Sequence, residues 1–310
     1  MRSTLTRYAP YLALLAAVIS GTANFVNKFA VTAVKDPFLF TTLKNSVVAI
    51  FLIGVLLAFR KWGEIRRLTG KQWAKLVAIA AVGGSIPFVL FFTGLAQTSA
   101  LNASLIHKTL FLWVALLAIP ILKERLSFPQ WLGITAIFGA NLLVGGFTGF
   151  KLNSGELLII AATVLWAVEN VIAKIALREI SSGTVAAARM VFGSLILLLI
   201  SASRGSLSQF AGLDPSQWGW ILLTGALLSG YVLAWYTALK HAPATLVATL
   251  LVPATLVTNL LSAVFVTREI TAVQLESAAL LGVGTILMIA FAKKATEKPI
   301  PSRKLSLQKS

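Results

Sequence analysis

The stretch Gly21–Val31, GTANFVNKFAV, lies inside an apolar run from Tyr11 to about Val34, yet it carries two asparagines and a lysine. The stretch Ala167–Leu177, AVENVIAKIAL, repeats the arrangement, with Asn24 and Lys28 recurring as Asn170 and Lys174 at an offset of 146. Further pairs extend the match. Lys44 and Arg189 are offset by 145, and Thr93/Thr237, Leu95/Leu239, Ala100/Ala244, Ser127/Thr271 and Gln130/Gln274 by 144. A slowly drifting offset is what single-residue loop deletions leave between two copies of one unit.

The 310 residues are 57% hydrophobic and only 12% charged, against about a quarter charged in soluble chains. Apolar runs of about 20 residues, the length that crosses about 30 Å of hydrocarbon, recur throughout. They predict ten spans near 11–34, 38–59, 74–96, 101–122, 130–148, 155–177, 182–203, 217–239, 245–266 and 272–292. The expected fold class is therefore an all-α integral membrane protein with ten transmembrane helices, and the lipid bilayer is its first partner. Arg2 and Arg7 before the first run resemble a signal peptide, but the run is too long for a cleaved apolar region and is expected to stay as a span.

The net charge of +17 does not point to nucleic acid, because the basic residues are scattered over short loops. They report orientation instead. With the N-terminus inside, 18 Lys and Arg fall on the cytoplasmic side and 4 outside, which predicts both termini in the cytoplasm. Each unit holds five spans, so the second copy must enter the membrane from the opposite side. The expected organisation is a first five-helix repeat over 1–150, an inverted second repeat over 151–294, and a basic, disordered cytoplasmic tail over 295–310. Inverted repeats of this kind characterise secondary transporters, with the substrate site near the midplane between the halves.

Several chemistries are excluded. No Cys is present, which removes disulfides and thiolate metal sites. Two His make a metal site unexpected, and no cofactor is expected. No G-x-S-x-G, no H-E-x-x-H and no pair of intramembrane carboxylates is found, so no enzyme is expected. The absence of a G-x-x-x-x-G-K-[ST] loop argues against a nucleotide-driven pump.

Ten spans in two five-helix units, together with LWAVENVIAKIAL (Leu165–Leu177), Arg189, LLVPATLVTNLLSAVFVTREITAVQ (Leu250–Gln274) and LLAIPILKERLSFPQWLG (Leu116–Gly133), resemble the EamA-type members of the drug/metabolite transporter superfamily. The resemblance covers about residues 8 to 293 and rests on the ordered set rather than on one motif. It implies transport by alternating access and a bacterial cytoplasmic (inner) membrane location. It does not fix the substrate. Two departures stand out: Ser20 occupies the position of Trp166 in the other copy, and LIHKTL (Leu105–Leu110) stands where the second copy has LLVPAT around Pro253.

Candidate site residues are the polar and aromatic groups within spans. A span rises about 1.5 Å per residue, which puts Asn24 about 20 Å and Lys28 about 26 Å from a start at Tyr11. Lys28 and Lys174 can snorkel to water or serve a cavity. Asn24 and Asn170 must face protein or water, because lipid offers an amide no partners. Lys44, His107 and Lys108 lie about 8–10 Å below the outer face, and Arg189 near the inner one. Such a surplus of bases suits either an electropositive pathway or snorkelling. Glu169 reads as the one clear intramembrane carboxylate and as a candidate for proton coupling, with pairing to a base as the alternative. Phe91 and Phe92 align with Trp235 and Tyr236 and, with Trp166 and the kink-forming Pro253, can line a cavity or pack the core. The expected function is a secondary transporter of small organic metabolites, amino acids or related compounds, in the direction of export. An organic-phosphate or other anion carrier is the alternative, and a passive channel a weaker one. Monomer and homodimer both remain open.

Overall fold

The computed structural model describes residues 2–145 and 152–292, so the 295–310 tail lies outside the described residues. The described chain is helical with no strand among those residues. Ten long segments follow one another: α1 (Arg2–Val34), α2 (Pro37–Ala58), α3 (Gly70–Leu95), α4 (Asn102–Leu122), α5 (Phe128–Gly145), α6 (Ser154–Ala176), α7 (Ser182–Ser203), α8 (Pro215–His241), α9 (Ala244–Thr267) and α10 (Ala272–Ala290). Among the described residues, nine are long and apolar enough to cross a membrane. The exception is α5, with 18 residues; it stands where the fifth span was expected, and the end of that expected span lies outside the described residues.

Helix starts follow from local chemistry. The first N–H groups of a helix have no intrahelical partner, and a short polar side chain can accept from them. Asp36 caps α2 through Phe38 and Leu39, and Ser181 caps α7 through Thr184. Thr69–Gln72, Asp214–Gln217 and Thr271–Gln274 form reciprocal capping boxes for α3, α8 and α10. The outward surface is apolar: Ile50, Leu199, Phe265 and Phe128 are each about 70% exposed. In water such a surface would drive aggregation; in lipid it faces hydrocarbon.

Three helices are interrupted. The α4 helix breaks at Thr109 and α9 at Val252–Pro253, positions equivalent under the 144 offset. Proline forces the second break by lacking an N–H. At the first, the Thr109 hydroxyl donates back to the Ile106 carbonyl and accepts from the Trp113 indole. The α3 helix contains a π-helical turn over Ala80–Ser85, which contains Gly83 and Gly84 and lies just before Pro87. A second π turn, Ala263–Thr267, ends α9.

Helix packing has a regular pattern. The α1 helix lies against α8 and α9, while α6 lies against α3 and α4. The α2 helix pairs with α7, and α5 with α10. Exchanging every helix for the one five places along the chain returns the same set of pairs. Close contacts occur where side chains are smallest. Gly133 and Gly284 bring α5 and α10 together, and Gly94 and Gly155 do the same for α3 and α6. The main buried core runs through the middle of the bundle, from Ala9, Ala13 and Ala16 of α1 to Tyr236 and Leu239 of α8.

Candidate functional site

The polar groups expected to act converge where α3, α6, α7 and α8 meet. Trp166 of α6 is the hub. Its indole Nε1 donates to the Gly83 carbonyl at 3.0 Å, and its carbonyl accepts from the Asn170 side chain at 2.8 Å. Phe88, Phe91 and His107 surround its ring, His107 with a centroid separation of 4.7 Å. Arg189 of α7 donates through Nη2 to the same Gly83 carbonyl at 3.0 Å. Tyr236 of α8 donates its hydroxyl to Glu169 Oε1 at 2.5 Å. Glu169 is 2% exposed and Asn170 3%.

Glycine makes this approach possible. A Cβ on Gly83 would overlap the Glu169 Cγ and lie 2.9 Å from its Cδ and 3.2 Å from Arg189 Nε. A Cβ on Gly84 would lie 2.7 Å from the Arg189 carbonyl and 3.0 Å from the Gly193 Cα. The Gly83–Gly84 pair thus admits a carboxylate and a guanidinium to the surface of α3.

The cluster's own hydrogen bonding leaves groups over. Arg189 Nε, Asn170 Oδ1 and His107 Nδ1 are buried and unpaired within the protein. Buried polar atoms normally find partners, and these three lie around one tryptophan. Among the described residues, Lys44, Lys108 and Arg189 have no carboxylate within ion-pair distance. Lys44 is half-buried, its ammonium 4.7 Å above the Phe40 ring. Lys108 is also half-buried, next to His107 on α4.

Other expected residues lie elsewhere. Lys174 is buried and donates to the Leu239 and Ala242 carbonyls at 2.9 and 2.8 Å. It therefore caps the C-terminal end of α8, where a cation also meets the favourable end of the helix dipole. Its ammonium goes to that helix end rather than to water by snorkelling. Lys28 and Asn24 of α1 are exposed. The matched pairs of the two copies are thus equivalent in sequence but not in environment. Trp235 is buried and stacks with Tyr231 at 5.9 Å, away from Phe91, its counterpart in the first copy, which packs on Phe92, His107 and Trp166. Pro253 opens the second half of α9.

Glu169 is not the only buried carboxylate among the described residues. Glu156, in the first turn of α6, is fully buried. It accepts from Asn102 Nδ2 at 2.6 Å and from the Leu152 N–H at 2.7 Å, tying α6 to α4. Two loop carboxylates also act as distant caps. Glu64 accepts from the Ser181 N–H at the start of α7, and Glu124 accepts from Ala244 and Thr245 at the start of α9. The Asn153-x-x-Glu156 spacing was a visible signal for Glu156, but it reads equally well as a solvated helix start. Among the described residues no His, Cys, Asp and Glu side chains group as metal ligands.

The model of the EamA-like transporter family matches residues 7–146 and 153–290, two consecutive copies that together cover most of the chain. The chain belongs to the EamA-like transporter family. This family membership and the nine apolar helices among the described residues make it a multi-pass integral membrane protein of a transporter family. An uncharacterized transporter of Methanothermobacter thermautotrophicus is 32% identical over 153 residues, 47% of this chain and 45% of its own length. The uncharacterized transporter sll1164 of Synechocystis sp. is 26% identical over 191 residues, 58% of this chain and 54% of its own. The uncharacterized transporter YyaM of Bacillus subtilis is 30% identical over 160 residues, 49% of this chain and 52% of its own. The chain spans about half the length of these curated relatives. A solved crystal structure shares the fold with a TM-score of 0.78 at 19% identity, covering 95% of this chain and 100% of that one.

Proposed function

We propose that this EamA-family protein is a secondary transporter that moves small organic zwitterions, amino acids or related metabolites, by alternating access. The observation that carries the reading is the Trp166 cluster, in which groups suited to both ends of a zwitterion are buried side by side and left unsatisfied. Arg189 offers its free Nε to a carboxylate. Glu169 and the Asn170 Oδ1 offer acceptors to an ammonium. Trp166, Phe88 and Phe91 supply the apolar wall, in keeping with ligand sites that are mostly apolar with a few placed polar groups.

Alternating access needs two halves that rock against each other around the site. An inverted ten-span arrangement, with units at 1–150 and 151–294 and α5 as a span, is favoured by the sequence offset, by the two family matches and by a packing pattern that survives exchange of the halves. The 18-to-4 distribution of basic residues supports cytoplasmic termini; the bacterial inner membrane and the export direction are carried over from the family resemblance. Glu169 is the candidate proton carrier, since a buried carboxylate held by a single tyrosine hydroxyl can exchange a proton when a water path opens.

Proteoliposomes loaded with radiolabelled amino acids, with and without a pH gradient, test the reading. Flux of at least one amino acid that responds to the gradient in the wild type and is lost in Glu169→Gln, with thermal stability retained, is the expected result. Gradient-driven flux through a stable Glu169→Gln protein excludes the proton role. A second reading, an organic-phosphate or other anion carrier, is favoured by Lys44 and Lys108, which have no carboxylate within ion-pair distance among the described residues. It predicts flux of organic phosphates, lost on Lys108→Met, in the same vesicles.

A further inference from the structure

An α-helical carbonyl is bonded by the N–H four residues on. Gly83 lies in the π turn Ala80–Ser85; in the α register that resumes at Ile86 its donor is residue 87, and Pro87 has no N–H. The carbonyl's two acceptor positions are instead taken by side chains from two other helices, Trp166 Nε1 and Arg189 Nη2, each at 3.0 Å. The π turn just before Pro87 widens the helix at this point, and the Ile86 N–H reaches back five residues to Ala81. The missing Cβ of Gly83 leaves room for Glu169 and Arg189.

The other copy serves as an internal comparison. In α8 the positions equivalent to Gly83 and Pro87 are Leu227 and Tyr231, and the helix runs unbroken from Pro215 to His241. The counterpart of Arg189 is Lys44, which rests over the Phe40 ring. The backbone anchor exists in one copy only, and the basic residue is fixed by a backbone carbonyl in that copy.

We propose that Pro87 is a positioning residue: by denying Gly83 its helical donor, it reserves that carbonyl for Trp166 and Arg189 and so sets both where a substrate meets them. The guanidinium is thereby held by a neutral carbonyl and stays outside ion-pair distance of Glu169. A full Arg189–Glu169 pair would neutralise both groups for a zwitterion. The functional consequence rests on the transport reading above; the positioning itself does not.

The test is spectroscopic, so it is independent of any substrate. Indole N–H signals are recorded from ¹⁵N-tryptophan-labelled protein in lipid nanodiscs, with Trp166 among the eight tryptophans assigned by Trp166→Phe. The Nε–H signal of Arg189 is read from ¹⁵N-arginine-labelled protein and assigned in the same way by Arg189→Lys. Pro87→Ala returns an N–H to the Gly83 carbonyl. The Trp166 indole signal is then expected to move upfield and exchange faster with water, and the Arg189 signal to shift. Pro87→L-lactate, placed by nonsense suppression, also lacks the N–H but removes the ring, and is expected to keep both wild-type signals. If Pro87→Ala fails to fold, the lactate protein still decides the matter, because it alone must retain the signals. Wild-type signals in a folded Pro87→Ala protein, or equal losses in the alanine and lactate proteins, overturn the proposal.

Discussion

Gly83→Ala is the substitution that the structure prices most directly. The new Cβ would overlap the Glu169 Cγ, a mid-chain atom that cannot swing aside as a side-chain tip can. It would also lie 3.2 Å from Arg189 Nε. Overpacking of this kind costs about 1–3 kcal/mol. Displacing Glu169 also breaks its bond from Tyr236, and a hydrogen bond contributes about 0.5–1.5 kcal/mol. Together these predict a loss of about 1.5–4.5 kcal/mol. Gly139→Ala is the control, since a Cβ there meets nothing within 4 Å and helix propensity favours alanine by about 1 kcal/mol. The two substitutions therefore carry opposite signs although the chemistry is identical. Reversible unfolding in mixed micelles titrated with sodium dodecyl sulfate measures both. Equal stability of the two proteins would refute the packing argument, because no flexible neighbour is available to absorb the clash.

Three further outcomes are expected. Lys174→Met should leave the Leu239 and Ala242 carbonyls without their donor and lower stability by about 1.5–3 kcal/mol while leaving substrate affinity unchanged, as read by unfolding and binding side by side. Glu156→Leu leaves the Asn102 amide and the Leu152 N–H without their acceptor and should cost about 1–3 kcal/mol in the same unfolding assay. The Glu179 carboxyl, just past the C-terminal end of α6, is held below its ordinary value by hydrogen bonds from Lys75 first and Gln72 next. A depressed folded value means the contact stabilises at neutral pH and fades as pH falls through that value. The stability difference between wild type and Lys75→Met should therefore be small at neutral pH and vanish in acid, as unfolding midpoints at the two pH values will show.

The parts of this structure that local chemistry decides could be read from the chain. Asp36, Ser181 and the capping boxes at Thr69, Asp214 and Thr271 begin helices within a few residues of where the apolar runs begin. The equivalence of Thr109 and Pro253 was visible as an alignment, and both positions break their helices. Burial was harder to read, because depth along an isolated rod says nothing about what covers it. Glu156 sits in a first turn, where such arithmetic leaves it near water, yet Asn102 of α4 and the Leu152 backbone close over it. The sequence leaves Lys174 between snorkelling and a cavity, because the end of α8, which it caps, comes from 65 residues away in sequence. Glu169 and Tyr236 were each singled out, but their bond depends on two helices separated by 67 residues.

The two copies illustrate why a repeat in sequence need not give a repeat in chemistry. Asn24 and Lys28 remain exposed on α1, whereas Asn170 and Lys174 are buried on α6. Ser20 leaves a gap in size where Trp166 organises a ring of aromatic side chains. Lys44 lies over a phenyl ring, and Arg189 is bound to a backbone carbonyl. Each difference acts in the same direction. The helices of the second copy, set against α3 of the first, carry a large ring at Trp166, a buried carboxylate at Glu169 and a guanidinium bound to a backbone carbonyl at Arg189, where the first copy has Ser20, Ala23 and a lysine over a phenyl ring.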